Sequence, residues 1–299
     1  MKRRHPILFA FLSLFALAIF IFIIAYVVTV GTGKWSLIPG DKIAVVKIEG
    51  VILSSSEIIE ELKEYNSNDS VKAILLRIDS PGGAVAPSQE IYEEVKKIRD
   101  EGKKKVVTSM GSVAASGGYY IASVSDRIVA NPGSITGSIG VILELANVSG
   151  LMKKVGVESV VVKSGKYKDI GSMFRSMTKE EQELLQGVID DTHDQFIDAV
   201  AQGRGIAKNK IIQIADGRVF TGRQAKALGL VDEIGNMQDA IKIAANMVGI
   251  TGEPSIIEKK KRFSFIDILR NRTLIDLIGN GKSIISGDGI FNIKYLLAY

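Results

Sequence analysis

The sequence predicts an α/β fold in which a mainly parallel β-sheet is covered by helices. Short apolar segments with the composition of buried strands alternate with segments of helical periodicity from residue 42 to residue 250. Such an alternation is typical of parallel strands joined by crossover helices. With 299 residues, the chain is also long enough to bury the core of one large domain or of two small ones.

The strands are predicted from short apolar runs bounded by polar residues or glycine. The first two, IAVVKI and AILLRI, are apolar at almost every position, as expected for strands that are buried on both faces. In chain order, the predicted strands are residues 43–48, 73–78, 105–109, 126–130 and 159–162.

The helices are predicted from apolar residues that recur every three or four positions. Residues 88–100 place Glu93, Glu94, Lys96 and Lys97 on one side, and residues 179–202 form a long amphipathic pattern. In chain order, the predicted helices are residues 55–65, 88–100, 111–124, 179–202 and 223–230.

The N-terminus predicts a membrane anchor. Residues 7–30 contain no charged side chain and are long enough, as a helix, to cross a hydrocarbon core of about 30 Å. Basic residues precede them, so residues 1–6 are expected in the cytoplasm and the rest of the chain outside. A cleaved signal peptide is the alternative, but its apolar core is usually shorter, about 7–15 residues. We therefore expect a single-pass protein of the cell membrane.

The chain divides into five predicted segments. A cytoplasmic basic head and the anchor are followed by a glycine-rich linker and one main domain. Beyond residue 250 a basic run and weakly helical apolar segments predict a C-terminal extension outside the main fold. The predicted boundaries are 1–6, 7–30, 31–41, 42–250 and 251–299.

The charge distribution does not favour a nucleic-acid partner. The formal net charge is +5, but the first six residues carry +3, and residues 251–299 hold eight Lys/Arg against five Asp/Glu. The body between these ends is therefore close to neutral and offers no basic surface for phosphate backbones.

Composition also limits the chemistry. The absence of cysteine removes disulfides, thiolate metal sites and cysteine nucleophiles. No metal-ligand spacing and no glycine-rich nucleotide loop is present, so we expect neither a metal nor another cofactor. Of the two histidines, His5 lies in the head and His193 in a predicted helix, where a solvated side chain is the simplest interpretation. An enzyme of this composition is expected to use Lys, Asp or Glu as its base.

Two glycine-containing turns follow predicted strands. Residues 79–83 (DSPGG) combine a proline that restricts φ with glycines that admit unusual backbone conformations. Residues 114–119 (AASGGY) place Ser116 among small residues at the start of a helix, where free N–H groups and the helix dipole favour an anion. Each turn has a structural alternative, namely a strand-to-helix connection and a helix N-cap. Together they resemble two halves of an oxyanion hole at the edge where parallel sheets bind ligands.

A reactive serine needs a base, and a cluster of lysines offers one. Residues 161–170 contain Lys163, Lys166 and Lys168 next to a predicted strand. A lysine pKa must fall from about 10.4 by roughly three units to act near neutral pH, which burial can achieve. The residues alone do not choose among the three lysines, and a solvated basic loop remains an alternative.

Five motifs together resemble the signal peptide peptidase A family, bacterial membrane-bound serine proteases with a ClpP/crotonase-like fold. The resemblance spans roughly residues 41–250, and no sharp motif follows residue 251. The motifs are SPGG (80–83), SMGSVAASGGYYIA (109–122), TGSIGVI (136–142), KSGKYKDI (163–170) and GRVFTGRQAKALGLVDEIG (217–235).

The resemblance implies a role for each matching residue. Ser116 corresponds to the nucleophile, Lys168 to the general base and Ser138 to the residue that orients that lysine. The backbone N–H groups of Gly83 and Gly117 correspond to the oxyanion hole. The family's substrates are apolar remnant signal peptides, and its members form homo-oligomers in which the lysine reaches the serine of a neighbouring protomer.

Two other functions remain open at this point. Crotonase-like domains act on acyl-CoA, but the predicted extracytoplasmic domain argues against that chemistry. A catalytically dead membrane scaffold would require loss of the serine or the lysine, and both are present. The apolar residues 295–299 (YLLAY) add a hypothesis, that the C-terminal tail occupies the substrate groove as a product does.

Overall fold

The computed structural model describes residues 13–23 and 41–259, together with the backbone of residues 294–296. The helical residues 13–23, which we name α1, belong to one compact unit, and the described residues from 41 onward belong to a second. Helix α1 falls within the predicted anchor, whose remaining residues lie outside the described part of the chain. None of the described helices is both long and apolar enough to cross a membrane.

The second unit alternates strands with helices. Its strands are β1 (Lys42–Glu49), β2 (Val71–Ser80), β3 (Gly82–Ala84), β4 (Lys105–Ala115), β5 (Arg127–Ala130), β6 (Ile135–Gly137), β7 (Val219–Thr221), β8 (Glu233–Ile234), β9 (Ser255–Glu258) and β10 (Lys294–Leu296). Its helices are α2 (Ser56–Ser67), α3 (Val85–Glu101), α4 (Gly117–Ala122), α5 (Ser149–Val155), α6 (Lys179–Arg204), α7 (Lys208–Ile212), α8 (Gly222–Ala227) and α9 (Met237–Met247).

The predicted mainly parallel sheet is confirmed. Eight strands form it, in the order β7-β6-β4-β2-β1-β9, and β5 pairs with both β4 and β8. All of its pairings are parallel except that of β6 with β7. Since β2 and β4 run in the same direction, their carboxyl ends at Ser80 and Ala115 lie at the same edge of the sheet.

Both faces of the sheet are buried, which explains the continuous apolar runs of β1 and β2. Because side chains alternate along a strand, Ile43 and Val45 face one core cluster, while Ala44 and Val46 face the other. Helix α9 covers the first face, and α2, α3, α4 and α6 cover the second.

Three of the predicted secondary-structure elements differ from the structure. Residues 111–115 continue strand β4 and do not begin a helix, because Val113–Ala115 pair with β6. Residues 159–162 form no strand, and the side chains of Val160 and Val162 are 84% and 96% exposed. The helix predicted over residues 223–230 ends earlier, at Ala227.

The C-terminal region contributes to the main fold. Strand β9 pairs in parallel with β1, so the prediction that residues 251–299 lie outside the main fold is wrong for residues 255–258. Strand β10 pairs antiparallel with β3 in a separate two-stranded sheet, with Tyr295 opposite Gly83. Helix α9, which the sequence analysis did not identify, completes the cover of one sheet face.

Candidate active site

Ser116 lies at the junction of β4 and α4 with its backbone in an unusual conformation. Its φ and ψ are +53° and −119°, a region that residues with a Cβ rarely adopt. Its N–H donates to the carbonyl of Gly137 at 2.8 Å, and its carbonyl accepts from the N–H of Tyr120 at 2.8 Å. Neighbouring strands and the first turn of α4 therefore hold this conformation. The Ser116 side chain is fully buried, and its Oγ has no hydrogen-bond partner among the described residues.

The two glycine turns predicted to act together lie against each other. The N–H of Ile52 donates to the Gly82 carbonyl at 2.9 Å, and the N–H of Ala84 donates to the Ile52 carbonyl at 2.8 Å. These bonds hold β3 against Ile52, in the segment that follows β1. The backbone nitrogen of Gly83 lies 3.3 Å from the position that a Cβ on Gly117 would occupy. A Cβ on Gly83 would approach the Ile52 carbonyl oxygen to 2.1 Å, so neither glycine has room for a side chain.

Buried polar groups support the first turn. The Ser80 hydroxyl donates to the Gly50 carbonyl at 2.6 Å and accepts from the Gly82 N–H at 3.1 Å. The Asp79 carboxylate accepts from the N–H of Val113 at 3.0 Å, across the register shift between β2 and β4. Asp79 therefore connects the two turns. The sequence analysis did not assign it a role, although it is the acidic residue that directly precedes SPGG.

Ser138 shares the backbone feature of Ser116. It has φ of +51°, and these two serines are the non-glycine residues with positive φ in the described part of the chain. The N–H of Ser138 donates to the Arg218 carbonyl at 2.8 Å, and its side chain is buried. Since Gly137 accepts the N–H of Ser116, one strand end, β6, positions both serines.

Lys168 is not joined to Ser116 or Ser138 by any hydrogen bond within the described residues. It lies in an exposed loop after α5, where its N–H donates to the Gly165 carbonyl at 3.1 Å. Its ammonium group makes no ion pair or hydrogen bond with the residues that the structure describes. The described residues of this chain therefore do not pair the candidate base with the buried serine.

The other two candidate lysines are engaged with carboxylates. Lys163 forms an ion pair with Asp169 and donates to the Lys166 carbonyl at 2.9 Å. Lys166 forms an ion pair with Glu180, whose hydrogen bond raises the pKa of the Lys166 amine above its ordinary value. Since a general base must be neutral, these contacts disfavour both residues for that role.

His193 does not provide a histidine base for this site. It lies within α6, and its Nε2 is buried without a hydrogen-bond partner among residues 41–259. A Ser-His-Asp triad requires hydrogen bonds on both sides of the imidazole. The buried Nε2 corrects the expectation of a solvated side chain, and its lack of a hydrogen bond disfavours His193 as a base.

The comparison with protein families assigns a class to this geometry. Residues 98–251 match the family model of peptidase family S49, and residues 45–132 match that of Clp protease. The first range contains Ser116, Ser138 and Lys168, and the second contains Gly83 and Ser116. The α/β fold and these matches define a serine protease with a Clp protease-like domain.

The chain belongs to peptidase family S49, as its relatives also indicate. A "Putative protease" of Synechocystis sp. is 48% identical over 219 residues, which are 73% of this chain and 77% of that protein. A "Putative signal peptide peptidase SppA" of Enterococcus faecium is 36% identical over 232 residues, which are 73% of this chain and 67% of that protein. Protease 4 of Haemophilus influenzae is 36% identical over 217 residues, but the match covers only 35% of it.

Proposed function

We propose that this protein is a membrane-anchored serine endopeptidase that cleaves apolar peptides with Ser116 as nucleophile and Lys168 as general base. One observation carries the proposal: the buried, unpaired hydroxyl of Ser116 lies where the backbones of Gly83 and Gly117 meet, at the carboxyl edge of the sheet. A serine without a structural hydrogen bond beside two side-chain-free N–H groups fits acyl transfer better than a structural role.

The proposed reaction proceeds through an acyl-enzyme. The neutral amine of Lys168 accepts the hydroxyl proton of Ser116 while Oγ attacks the peptide carbonyl carbon. The N–H groups of Gly83 and Gly117 donate to the resulting oxyanion. The protonated lysine then gives its proton to the leaving amine, and the C–N bond breaks. Water, deprotonated by the same lysine, hydrolyses the ester and releases the acid.

The contacts of the three candidate lysines favour Lys168 as the base. Lys163 and Lys166 are paired with carboxylates, whereas the ammonium of Lys168 has no partner among the described residues. Lys168 is exposed in one protomer, whereas an amine acts as a base where its surroundings exclude water and favour the neutral form. We propose that a second copy of the chain supplies such surroundings, with Ser138 orienting the lysine.

The exposed apolar side chains around Lys168 support assembly. Val160 and Val162 precede it in a segment without helix or strand and are almost entirely exposed, and Leu151 and Val155 on α5 are also exposed. Several exposed apolar side chains in one stretch of the chain are typical of a surface that a partner covers. A homo-oligomer in which each Lys168 serves the Ser116 of a neighbour accounts for both observations.

The edge of β3 is the proposed substrate site. The antiparallel pairing of β10 with β3 supports the idea that an extended peptide binds there through backbone hydrogen bonds, with a carbonyl near Gly83. Val51 and Leu53 are exposed on either side of Ile52, the residue that bridges to Gly83. This apolar rim suits apolar substrates, and we propose remnant signal peptides among them.

The same pairing supports the product-like tail that the sequence suggested. Residues 294–296 are part of the C-terminal segment, and they pair with the strand that contains Gly83.

We also propose a cellular location on the basis of the sequence. Residues 7–30 anchor the protein in the cell membrane, residues 1–6 are cytoplasmic, and the protease domain is extracytoplasmic.

The test is hydrolysis of a fluorogenic apolar peptide by the full chain in detergent. We expect Ser116→Ala and Lys168→Ala each to lower kcat by at least about a thousandfold, as for other catalytic dyads and triads. Lys166 lies two positions away, and its ion pair is exposed. The kcat of Lys166→Ala should therefore stay within about threefold of the parent value. An active Lys168→Ala variant would show that the base lies elsewhere, and an inert parent would favour a scaffold.

A further inference from the structure

We propose that Arg175 positions Lys168 by binding the carboxylates of Asp169 and Glu181 at the same time, an arrangement that we name the Arg175 clamp. This inference rests on the proposed function, because it assigns a role to the loop that carries the proposed base. Arg175 does not contact Ser116 or the β3 edge in the described residues. It is therefore a positioning residue and not a catalytic one.

All three guanidinium nitrogens of Arg175 participate in the clamp. Its Nε and Nη2 donate to the two carboxylate oxygens of Asp169, at 2.8 and 2.9 Å. Its Nη1 donates to Oε2 of Glu181 at 2.8 Å, and Nη2 also bonds to the other oxygen of that carboxylate. Bonds of 3.2 Å to the backbone carbonyls of Asp169 and Ser176 complete the set. A planar, bidentate geometry on both sides fixes direction as well as distance.

The clamp is more sheltered than the other ion pair between the same segments. The side chains of Asp169 and Glu181 are 11% and 5% exposed, whereas those of Lys166 and Glu180 are 66% and 52% exposed. Exposed pairs contribute little because water and salt screen them. The clamp is therefore the stronger connection between the loop and helix α6.

Glu181 is itself fixed by the start of α6. Its carboxylate accepts the N–H of Thr178 at 2.9 Å, and its N–H donates to the Thr178 hydroxyl at 3.2 Å, which together form a capping box. The same helix is anchored in the core by Phe196 and Val200. The clamp thus connects a rigid helix to the residue that directly follows Lys168.

A second contact closes the loop on its other side. Lys163 pairs with Asp169 and also donates to the Lys166 carbonyl, so the turn around Lys168 is held at both ends. The ammonium of Lys168 itself is left out of these contacts. A carboxylate engaged by Arg175 and Lys163 is also kept from pairing with Lys168, whose amine must be neutral to act as a base.

Loss of the clamp should therefore reduce turnover more than substrate binding. The loop has no strand pairing of its own among the described residues. Without Arg175, its connection to α6 rests on the exposed contacts of Lys166 and Tyr167 with Glu180, so Lys168 should be held less precisely. Misplacement of a catalytic group by about 1 Å costs about a hundredfold in rate. The β3 edge that pairs with an extended peptide does not touch the clamp, so KM should change little.

The experiment is steady-state hydrolysis of the fluorogenic peptide by full-length Arg175→Ala, Glu181→Gln and Glu180→Gln. We expect Arg175→Ala to lower kcat by about 10- to 100-fold with KM within about twofold. Guanidinium ion added at a non-denaturing concentration should raise the kcat of Arg175→Ala by at least about fivefold and should not accelerate the parent.

Glu181→Gln keeps an oxygen that accepts the Thr178 N–H, so it tests the charge without removing the cap, and its kcat should also fall. Glu180→Gln, which alters the exposed pair, should stay within about twofold of the parent.

The outcomes separate this inference from the proposed function. If Ser116→Ala and Lys168→Ala are inactive while Arg175→Ala and Glu181→Gln retain parental kcat, the clamp has no positioning role and the dyad stands. A rise in KM at constant kcat, or a folded Arg175→Ala that guanidinium fails to rescue, would also overturn the inference. If Arg175→Ala does not fold, the kcat of Glu181→Gln alone tests the clamp, because that variant retains the capping box at the start of α6. If Ser116→Ala remains active, the proposed function is wrong and the inference falls with it.

Discussion

The backbone nitrogen of Gly83 lies 3.3 Å from the point where a Cβ on Gly117 would stand, although the first residue belongs to strand β3 and the second to helix α4. Parallel strands β2 and β4 end at the same edge of the sheet, and this brings their following turns together. The backbones of Gly83 and Gly117 meet next to Ser116, whose hydroxyl is buried without a hydrogen-bond partner among the described residues, and Oγ of Ser88 stands close by. This geometry is what the proposed oxyanion hole requires.

Replacing Gly117 should abolish activity by filling this space. In Gly117→Ala the added Cβ would lie 2.6 Å from Oγ of Ser88 on α3 and 3.3 Å from the backbone nitrogen of Gly83, so α4 would have to shift away from both. We expect kcat/KM to fall by at least about a hundredfold, the usual cost of a lost oxyanion donor. Peptide hydrolysis measures the loss of activity, and urea unfolding measures separately whether the substitution destabilises the domain.

Gly187→Ala provides a matched control for that substitution. Gly187 lies on the exposed side of α6, and no atom stands within 4 Å of its hypothetical Cβ. Alanine should stabilise the domain by about 0.5–1 kcal/mol because it restricts the unfolded chain. Equal losses of activity in the two variants would refute the steric argument for Gly117.

The positive φ of Ser116 predicts an unusual stability order among inactive variants. A residue with a Cβ is strained at φ of +53°, at a cost of about 1–3 kcal/mol, whereas glycine is not. We expect Ser116→Gly to be at least as stable as Ser116→Ala, in contrast to ordinary positions, and both to be inactive. Urea unfolding compares them directly, and a Ser116→Ala variant that is clearly the more stable would exclude strain at this residue.

The Arg175 clamp predicts a loss of stability in acid. Hydrogen bonds from Arg175 lower the pKa of Glu181 to about 2 and hold that of Asp169 far below its usual range. Unfolded carboxyls titrate near pH 4, so the unfolded chain binds more protons as the pH falls. The contribution of the clamp is therefore fully present above about pH 4.5 and is lost toward pH 2. Between pH 5 and 2.5, the thermal unfolding temperature should fall more steeply for the parent than for Glu181→Gln. Parallel plots of unfolding temperature against pH for the two proteins would contradict this.

Complementation tests whether active sites are shared between copies. If Lys168 serves the Ser116 of a neighbour, mixed oligomers of Ser116→Ala and Lys168→Ala contain sites with both functional residues. We expect up to about a quarter to a half of parental activity per protomer after the two inactive variants are dissociated and reassembled together. Sites built within one protomer would leave the mixture as inactive as its components.

Removal of residues 294–299 tests the tail. Strand β10 pairs with the β3 edge on which we propose the substrate binds, so the tail should compete with peptides. Its deletion is expected to lower KM by about three- to tenfold with kcat little changed, since binding is released from competition. A synthetic peptide of residues 290–299 should inhibit the truncated protein competitively, and unchanged kinetics after truncation would remove the tail from the site.

Much of the fold was predictable because burial leaves a direct pattern in the sequence. The apolar runs of β1 and β2 and the amphipathic pattern of α6 are local signals, and the structure contains these elements close to the predicted bounds. The prediction was wrong where pairing with distant residues decides the outcome. Residues 111–115 continue β4 because its last three residues, 113–115, pair with β6, and residues 255–258 belong to the sheet because they pair with the edge of β1.

Apolar runs, glycine turns and motifs were enough to predict the mainly parallel α/β architecture, the candidate serine and glycines, and, through resemblance, the choice of Lys168 among three lysines. Three features are visible only in the folded chain: the two glycine turns meet, the backbones of Ser116 and Ser138 share a positive φ, and Arg175 joins Asp169 to Glu181. Composition and periodicity report local conformation and burial. Contacts between residues far apart in the chain arise only when strands and helices pack.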